Sequence, residues 1–143
     1  MNQPADEPLC GSQILSLVDR ELIATYVSAA NDCVYCQMVH GANVVHHMGR
    51  DEGIVARIKN DFCTAPISEK LKALLMIADH VQRGGEKVRV GDLNRARRQD
   101  ATDLEIHDTV LIASMFCTCT GRWLDSRRSR KSYKNKRADS KHS

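Results

Sequence analysis

Apolar residues recur along this chain at helical spacing, and polar or turn-forming residues punctuate them at intervals that suit a run of helices. Leu15, Val18, Leu22, Tyr26 and Ala29 form one stripe, which predicts a helix from about residue 12 to residue 30. Asn31 and Asp32 interrupt it and offer an N-cap for a second helix over about 33–48, with Val34, Met38, Ala42 and Val45 as its apolar face. Glu52 to Asn60 predict a short helix. Ala65-Pro66-Ile67-Ser68 opens an amphipathic one over about 68–83, carrying Leu71, Leu74, Leu75, Ala78 and Val81 and stopped by Gly84-Gly85. Val90-Gly91-Asp92 leads into a further short helix ending near Arg98. Thr102-x-x-Glu105 has the form of a capping box ahead of a last helix over about 103–125. Only Lys87 to Val90 hints at extended structure. The pattern is that of an all-α protein.

Length and composition narrow this. The chain's 143 residues suit one domain with a helical core, and 42% hydrophobic with only 4% aromatic residues means a core of Leu, Ile, Val, Ala and Met. Pro4, Pro8 and Gly11 mark residues 1–11 as a flexible lead, so the domain is expected over 12–125. The net charge of +3 conceals a division: residues 126–143 hold eight Lys/Arg against one acid, which leaves 13 against 17 for the body. The tail is low in apolar residues and is expected to be disordered. Only Tyr133 offers a ring for stacking on a base, so it reads as a solvated extension and no nucleic-acid role is expected. The first nine residues lack an apolar signal segment, and no apolar run is long enough to span a membrane. Six cysteines in that setting point to a reducing, cytoplasmic compartment with thiols kept for chemistry.

The chemistry concentrates in Asn31-Asp32-Cys33-Val34-Tyr35-Cys36-Gln37-Met38-Val39-His40-Gly41. On a helix Cys33, Cys36 and His40 fall within an arc of about 60°. A first-turn thiolate is stabilised there by backbone N–H groups and the helix dipole, and an imidazole one turn on can relay its proton. Position alone favours Cys33, nearer the helix start, as the more exposed thiol. Glu21, twelve residues before Cys33, could pack back against the dithiol helix as a general base.

Glu21-x11-Cys33-x2-Cys36-x3-His40 resembles the alkylhydroperoxidase D-like family of the carboxymuconolactone decarboxylase superfamily. The likeness is strongest to its peroxidase-related branch, where Arg-Glu-Leu-Ile-Ala (residues 20–24 here), Cys-x-Tyr-Cys and His-Gly stand at this spacing. Residues 65–75 and 92–108 also match the family's pattern, so the resemblance covers roughly residues 14–125. It implies an alkylhydroperoxidase D-like helical bundle with the dithiol at a helix N-terminus. It also implies a homo-oligomer that reduces hydroperoxides and is reset by a lipoyl, thioredoxin-like or small-thiol reductant. Carried over residue by residue, Cys36 is the attacking thiolate, Cys33 its resolving partner, and His40 and Glu21 a proton relay. No cofactor is implied. The chain departs from the pattern in its short N-terminal stretch before Glu21, at Gly121 where relatives carry Asn, and in its basic ending.

Other readings stay open. A disulfide oxidoreductase would cycle the same thiols without meeting peroxide, and a non-catalytic module would use them for metal while the tail recruits nucleic acid. Zinc would need a fourth ligand beyond Cys33, Cys36 and His40, and His46 or His47 could serve only with strained helix geometry. Both are read as surface histidines. Lactone decarboxylation does not call for a dithiol. Tyr35 is expected to shape the pocket, Cys117 and Cys119 to point to opposite sides of the last helix, and Cys10 and Cys63 to have no chemical setting.

Overall fold

The computed structural model describes residues 15–48 and 52–119. The expected lead over 1–11, the tail over 126–143 and any continuation of the last helix beyond 119 lie outside them. Among these residues six α-helices follow one another: α1 (Leu17–Ala30), α2 (Val34–Met48), α3 (Glu52–Asp61), α4 (Glu69–Arg83), α5 (Val90–Arg98) and α6 (Asp103–Cys119). Single 3-10 turns at Phe62–Thr64 and Gly85–Lys87 join α3 to α4 and α4 to α5. There is no strand among the described residues. Of the extended segment expected at 87–90 only Val88 and Arg89 are extended, since Lys87 ends a 3-10 turn and Val90 starts α5. Arg89 is extended, but its N–H donates to Asp92 Oδ2 at 2.9 Å rather than to a neighbouring strand.

The bundle is built around α1. It packs against α2, α3, α4 and α6, and its sequence fits that place because its apolar and small residues run round the whole circumference. Leu22, Ile23, Ala24, Thr25, Val27 and Ser28 are all buried. Ser16 starts the helix, its hydroxyl accepting from Asp19 N–H at 3.1 Å. α4 is the second wall. Leu71, Leu74, Leu75, Ile77, Ala78 and Val81 are buried on its inner face, each large one stabilising the fold by roughly 1.5–3 kcal/mol. Its ends are those the sequence marks: Ser68 caps Leu71 N–H at 3.1 Å, and Gly84 stops it at φ 132°, where a Cβ would meet the Glu86 carboxylate at 2.7 Å.

Tertiary hydrogen bonds fix how these helices sit. The Tyr26 hydroxyl donates to Asp79 Oδ1 at 2.7 Å, and Arg83 Nε holds the other oxygen at 3.0 Å. Burial and the adjacent carboxylate push the Tyr26 hydroxyl well above its ordinary pKa, so it stays a donor. The Thr102–Glu105 box forms as the sequence expects: Thr102 N–H donates to Glu105 Oε2 at 3.0 Å and Glu105 N–H to Thr102 Oγ1 at 3.1 Å. Lys70 on α4 reaches Glu105 Oε1 at 3.0 Å and ties that box to the bundle.

One expectation about packing is corrected. The Val34–Met38–Ala42 stripe of α2 does not face the core: Val34 and Met38 are 63% and 66% exposed, and Ala42 is exposed too. The inner side is the line through Gln37, Gly41 and Val44. A Cβ on the buried Gly41 would stand in ordinary contact with Val55 Cγ1 on α3 at 3.5 Å and Thr25 Cγ2 on α1 at 3.7 Å. α2 is thus apolar on both sides. So is α6, whose Leu104, Leu111 and Met115 face outward along one stripe while Ala113 and Cys117 are buried.

Candidate functional site at the start of α2

Three residues carry the chain from α1 into α2. Asn31 N–H donates to Val27 O at 2.9 Å, Asp32 N–H to Ala29 O at 3.1 Å and Cys33 N–H to Ser28 O at 2.9 Å. Asp32 sits in the left-handed region at φ 58°. This is a Schellman ending, with aspartate where glycine is more usual. Cys33 closes α1 with its N–H and opens α2 with its carbonyl, which accepts from Gln37 N–H at 3.0 Å. Its sulfur accepts from Cys36 N–H at 3.4 Å. The expected cap at Asn31 or Asp32 is therefore replaced: Cys33 itself stands in the cap position, and its Sγ does what a serine oxygen would do there.

Cys33 and Cys36 are not joined in a disulfide and are both partly buried, near the N-terminus of α2. One turn on, His40 Nδ1 lies 2.6 Å from Glu21 Oε2 on α1. The two side chains are 24% and 17% exposed, so the pair is shielded without being sealed. The edge of the Phe116 ring on α6 meets the imidazole at a centroid distance of 4.8 Å and an interplanar angle of 89°. Glu21 thus bonds one ring nitrogen while Phe116 contacts the ring itself. With Nδ1 engaged by the carboxylate, Nε2 is the nitrogen left for other partners. The helix continues through Gly41 to Met48, so His40 is an interior residue and not a terminal one.

The other candidates fall elsewhere. Tyr35 is 78% exposed, so it lines no enclosed pocket. His46 and His47 are exposed with their rings 5.3 Å apart, ten or more residues and about 15 Å of helix beyond Cys36. Among the described residues no group of three or more His, Cys, Asp or Glu side chains could hold a metal ion. Cys63 is exposed, and Cys117 is buried with Asn31 Nδ2 3.7 Å from its sulfur. Cys10 lies outside the described residues.

Gln82 on α4 is a residue that the sequence pattern passes over. Its Nε2 donates both to Ala30 O at 3.2 Å and to Asn31 Oδ1 at 3.1 Å. The sole signal in the sequence is a glutamine on the buried side of an amphipathic helix.

The chain is similar to known proteins in sequence and in fold. The sequence profile of the carboxymuconolactone decarboxylase family matches residues 11–64, which contain Glu21, both cysteines and His40. No functionally curated protein matches the sequence. Among solved structures, an uncharacterized peroxidase-related protein from Silicibacter sp. TM1040 superimposes with a TM-score of 0.71 at 24% identity, over 86% of this chain and 64% of that one. An alkylhydroperoxidase AhpD core, also an uncharacterized peroxidase-related protein, from Ralstonia eutropha JMP134 gives 0.70 at 25% identity, over 81% and 60%. The chain therefore spans somewhat less than two thirds of either structure. No helix among the described residues is long and apolar enough to cross a membrane. The chain thus matches the carboxymuconolactone decarboxylase family's profile over residues 11–64, and its fold is similar to those of these two peroxidase-related structures.

Proposed function

We propose that this protein reduces hydroperoxides through the Cys33–Cys36 dithiol, with Glu21 and His40 moving protons. The fold match and the adjacent cysteines support a redox role in general. The finer reading rests on the His40–Glu21 contact of 2.6 Å one helical turn from Cys36. In the proposed cycle the Cys36 thiolate attacks the outer oxygen of the hydroperoxide. The O–O bond breaks, Cys36 becomes a sulfenic acid, and the departing alkoxide takes a proton from His40 or from water. Glu21 supports the imidazole as it loses or regains that proton. The Cys33 thiol then attacks the sulfenic sulfur, forming the disulfide and releasing water. A dithiol reductant of the lipoyl, thioredoxin-like or small-thiol class restores both thiols through a mixed disulfide.

Two neighbours shape the proposal. The Cys36 N–H directed at Cys33 Sγ is suited to negative charge on that sulfur as the disulfide opens and closes. The outward apolar stripes of α2 (Val34, Met38, Ala42) and α6 (Leu104, Leu111, Met115) support assembly into a homo-oligomer, which sedimentation of the purified protein tests directly. The central experiment is peroxide consumption coupled to a thiol reductant, with Cys36→Ser. Loss of turnover together with a peroxide-induced Cys33–Cys36 disulfide in the wild type is expected. Full activity in Cys36→Ser removes it from the attacking role.

The exposed Val34 and Tyr35 beside the cysteines favour one alternative, exchange with a protein disulfide that docks on them. That reading predicts dithiol cycling with a partner protein and no consumption of peroxide.

A further inference from the structure

The turn that presents the dithiol is held from behind by side chains of two other helices. Asn31, 8% exposed, points inward from the end of α1. Its Oδ1 accepts from Gln82 Nε2 at 3.1 Å, and its Nδ2 lies 3.7 Å from the buried Cys117 sulfur on α6. The same Gln82 nitrogen donates to the carbonyl of Ala30 at 3.2 Å. That carbonyl lies in the last turn of α1, where helix geometry supplies no N–H partner. The three backbone N–H groups from Asn31 to Cys33 are all spent on α1 carbonyls. The backbone bonds shape the turn, and the Gln82 amide fastens it to α4.

We infer that Gln82 and Asn31 are positioning residues for the dithiol: their hydrogen bonds hold the turn that presents Cys33 to Cys36, and they thereby set how readily the disulfide closes. This rests on the redox reading above but not on peroxide being the oxidant. The physical basis is effective concentration. Two thiols in one helical turn close easily only while their backbone stays within the narrow span a disulfide tolerates, a Cα separation of roughly 4.4–6.8 Å. Cys33 is the first residue of that span, and its main chain follows directly on Asp32 and Asn31. A turn held by the Gln82 amide has little freedom to lose on closure. A turn released from it explores wider separations and pays that entropy each time the bond forms.

The test is equilibration of the purified protein with glutathione. Two cysteine thiols give up two protons and two electrons, and glutathione disulfide takes them up as it splits into two glutathione thiols. Gln82→Met keeps the side-chain volume and removes both donated hydrogen bonds. It is expected to lower the constant for Cys33–Cys36 closure roughly fivefold, a shift of about 20 mV towards a more oxidising couple at about 30 mV per tenfold. Asn31→Ala should act in the same direction, and the double variant should fall short of the sum of the two changes, because the two residues share one bond. Tyr26→Phe is the comparison that separates positioning from general stability. It removes a hydrogen bond of similar kind to the same helix, at Asp79, and should lower the melting temperature without moving the constant. Should Gln82→Met fail to fold, Asn31→Ala, which leaves the Gln82–Ala30 bond in place, carries the same measurement. An unchanged constant in the folded variants, or an equal shift in Tyr26→Phe, overturns the positioning role while leaving the dithiol chemistry intact. A wild-type protein that forms no Cys33–Cys36 disulfide in any glutathione buffer overturns both.

Discussion

Two histidine–carboxylate pairs sit among the described residues, and by their own geometry they are near twins. His40 Nδ1 lies 2.6 Å from Glu21 Oε2, with exposures of 24% and 17%. His80 Nδ1 lies 2.9 Å from Asp92 Oδ2, with exposures of 25% and 16%. Each joins two helices through the same ring nitrogen. What separates them is what else the partners do. The Asp92 oxygen that meets His80 also accepts the Arg89 N–H at 2.9 Å, so it is committed to starting α5. Glu21 projects from the central helix, and its imidazole stands one turn from Cys36 and two from Cys33, with Phe116 on its ring. A charged pair is thus a poor sign of chemistry until its remaining hydrogen-bonding obligations are counted. The pair with a backbone duty is architecture, and the pair without one is the better candidate for moving protons.

Substitution can break this contrast. His40→Gln should lower peroxide turnover by about 100-fold or more, the range for losing a proton-transfer group, with the fold intact by circular dichroism. His80→Gln, its geometric twin, should leave turnover unchanged and lower the melting temperature alone. Equal losses in the two variants would dissolve the distinction. A second effect is expected in the turn that serves His40's helix. Asp32 holds φ 58°, so Asp32→Val should destabilise the protein by about 1–2 kcal/mol in denaturant titration, while Asp32→Gly should be tolerated.

The architectural pair has its own signature, in pH. Burial works against ionisation of Asp92, but the Arg89 N–H and the His80 ring outweigh it, so its carboxyl titrates below the ordinary 3.8. A depressed carboxylate contributes stability that is present above its unfolded value and is lost as the pH falls through the folded one. Asp92→Ala should therefore cost about 1 kcal/mol at neutral pH, the usual worth of a helix-start acceptor, and the gap to wild type should close in acid. The smallest expected change is at Gly41. The Cβ contacts there are ordinary ones, so Gly41→Ala should stabilise α2 by up to about 0.5–1 kcal/mol while leaving the His40–Glu21 pair in place.

The order of helices was legible because periodicity and punctuation agreed. Ser68 and Gly84 bound α4 where the stripe from Leu71 to Val81 says they should, and Thr102 with Glu105 makes the box its spacing announces. The partnership of Glu21 with His40 was legible only through family spacing, since nothing local in an α1 glutamate says which neighbour it will meet. Three features lay out of reach. The stripe of Val34, Met38 and Ala42 marks a face of α2 without saying which side packs, and the buried side runs through Gly41 and Val44 instead. A cysteine as helix cap is missed by rules written for oxygen. Gln82 acts on Asn31 across 51 positions of sequence, a distance no local pattern can bridge.

The sulfur cap on α2 has one more consequence, in amide exchange with solvent. The Cys36 N–H is held by an atom whose bonding changes with oxidation state. As a thiol or thiolate, Cys33 Sγ accepts that proton. Once bonded to a second sulfur it is neutral and a weaker acceptor, and the first turn of the helix loses part of its anchor. The amide of Cys36 should then exchange with deuterium faster in the oxidised protein than in the reduced one. The amides at the starts of α5 and α6, whose capping acceptors are the oxygens of Asp92, Thr102 and Glu105, should keep time regardless. On the proposed chemistry, a helix started by sulfur would report its own oxidation state in its fraying.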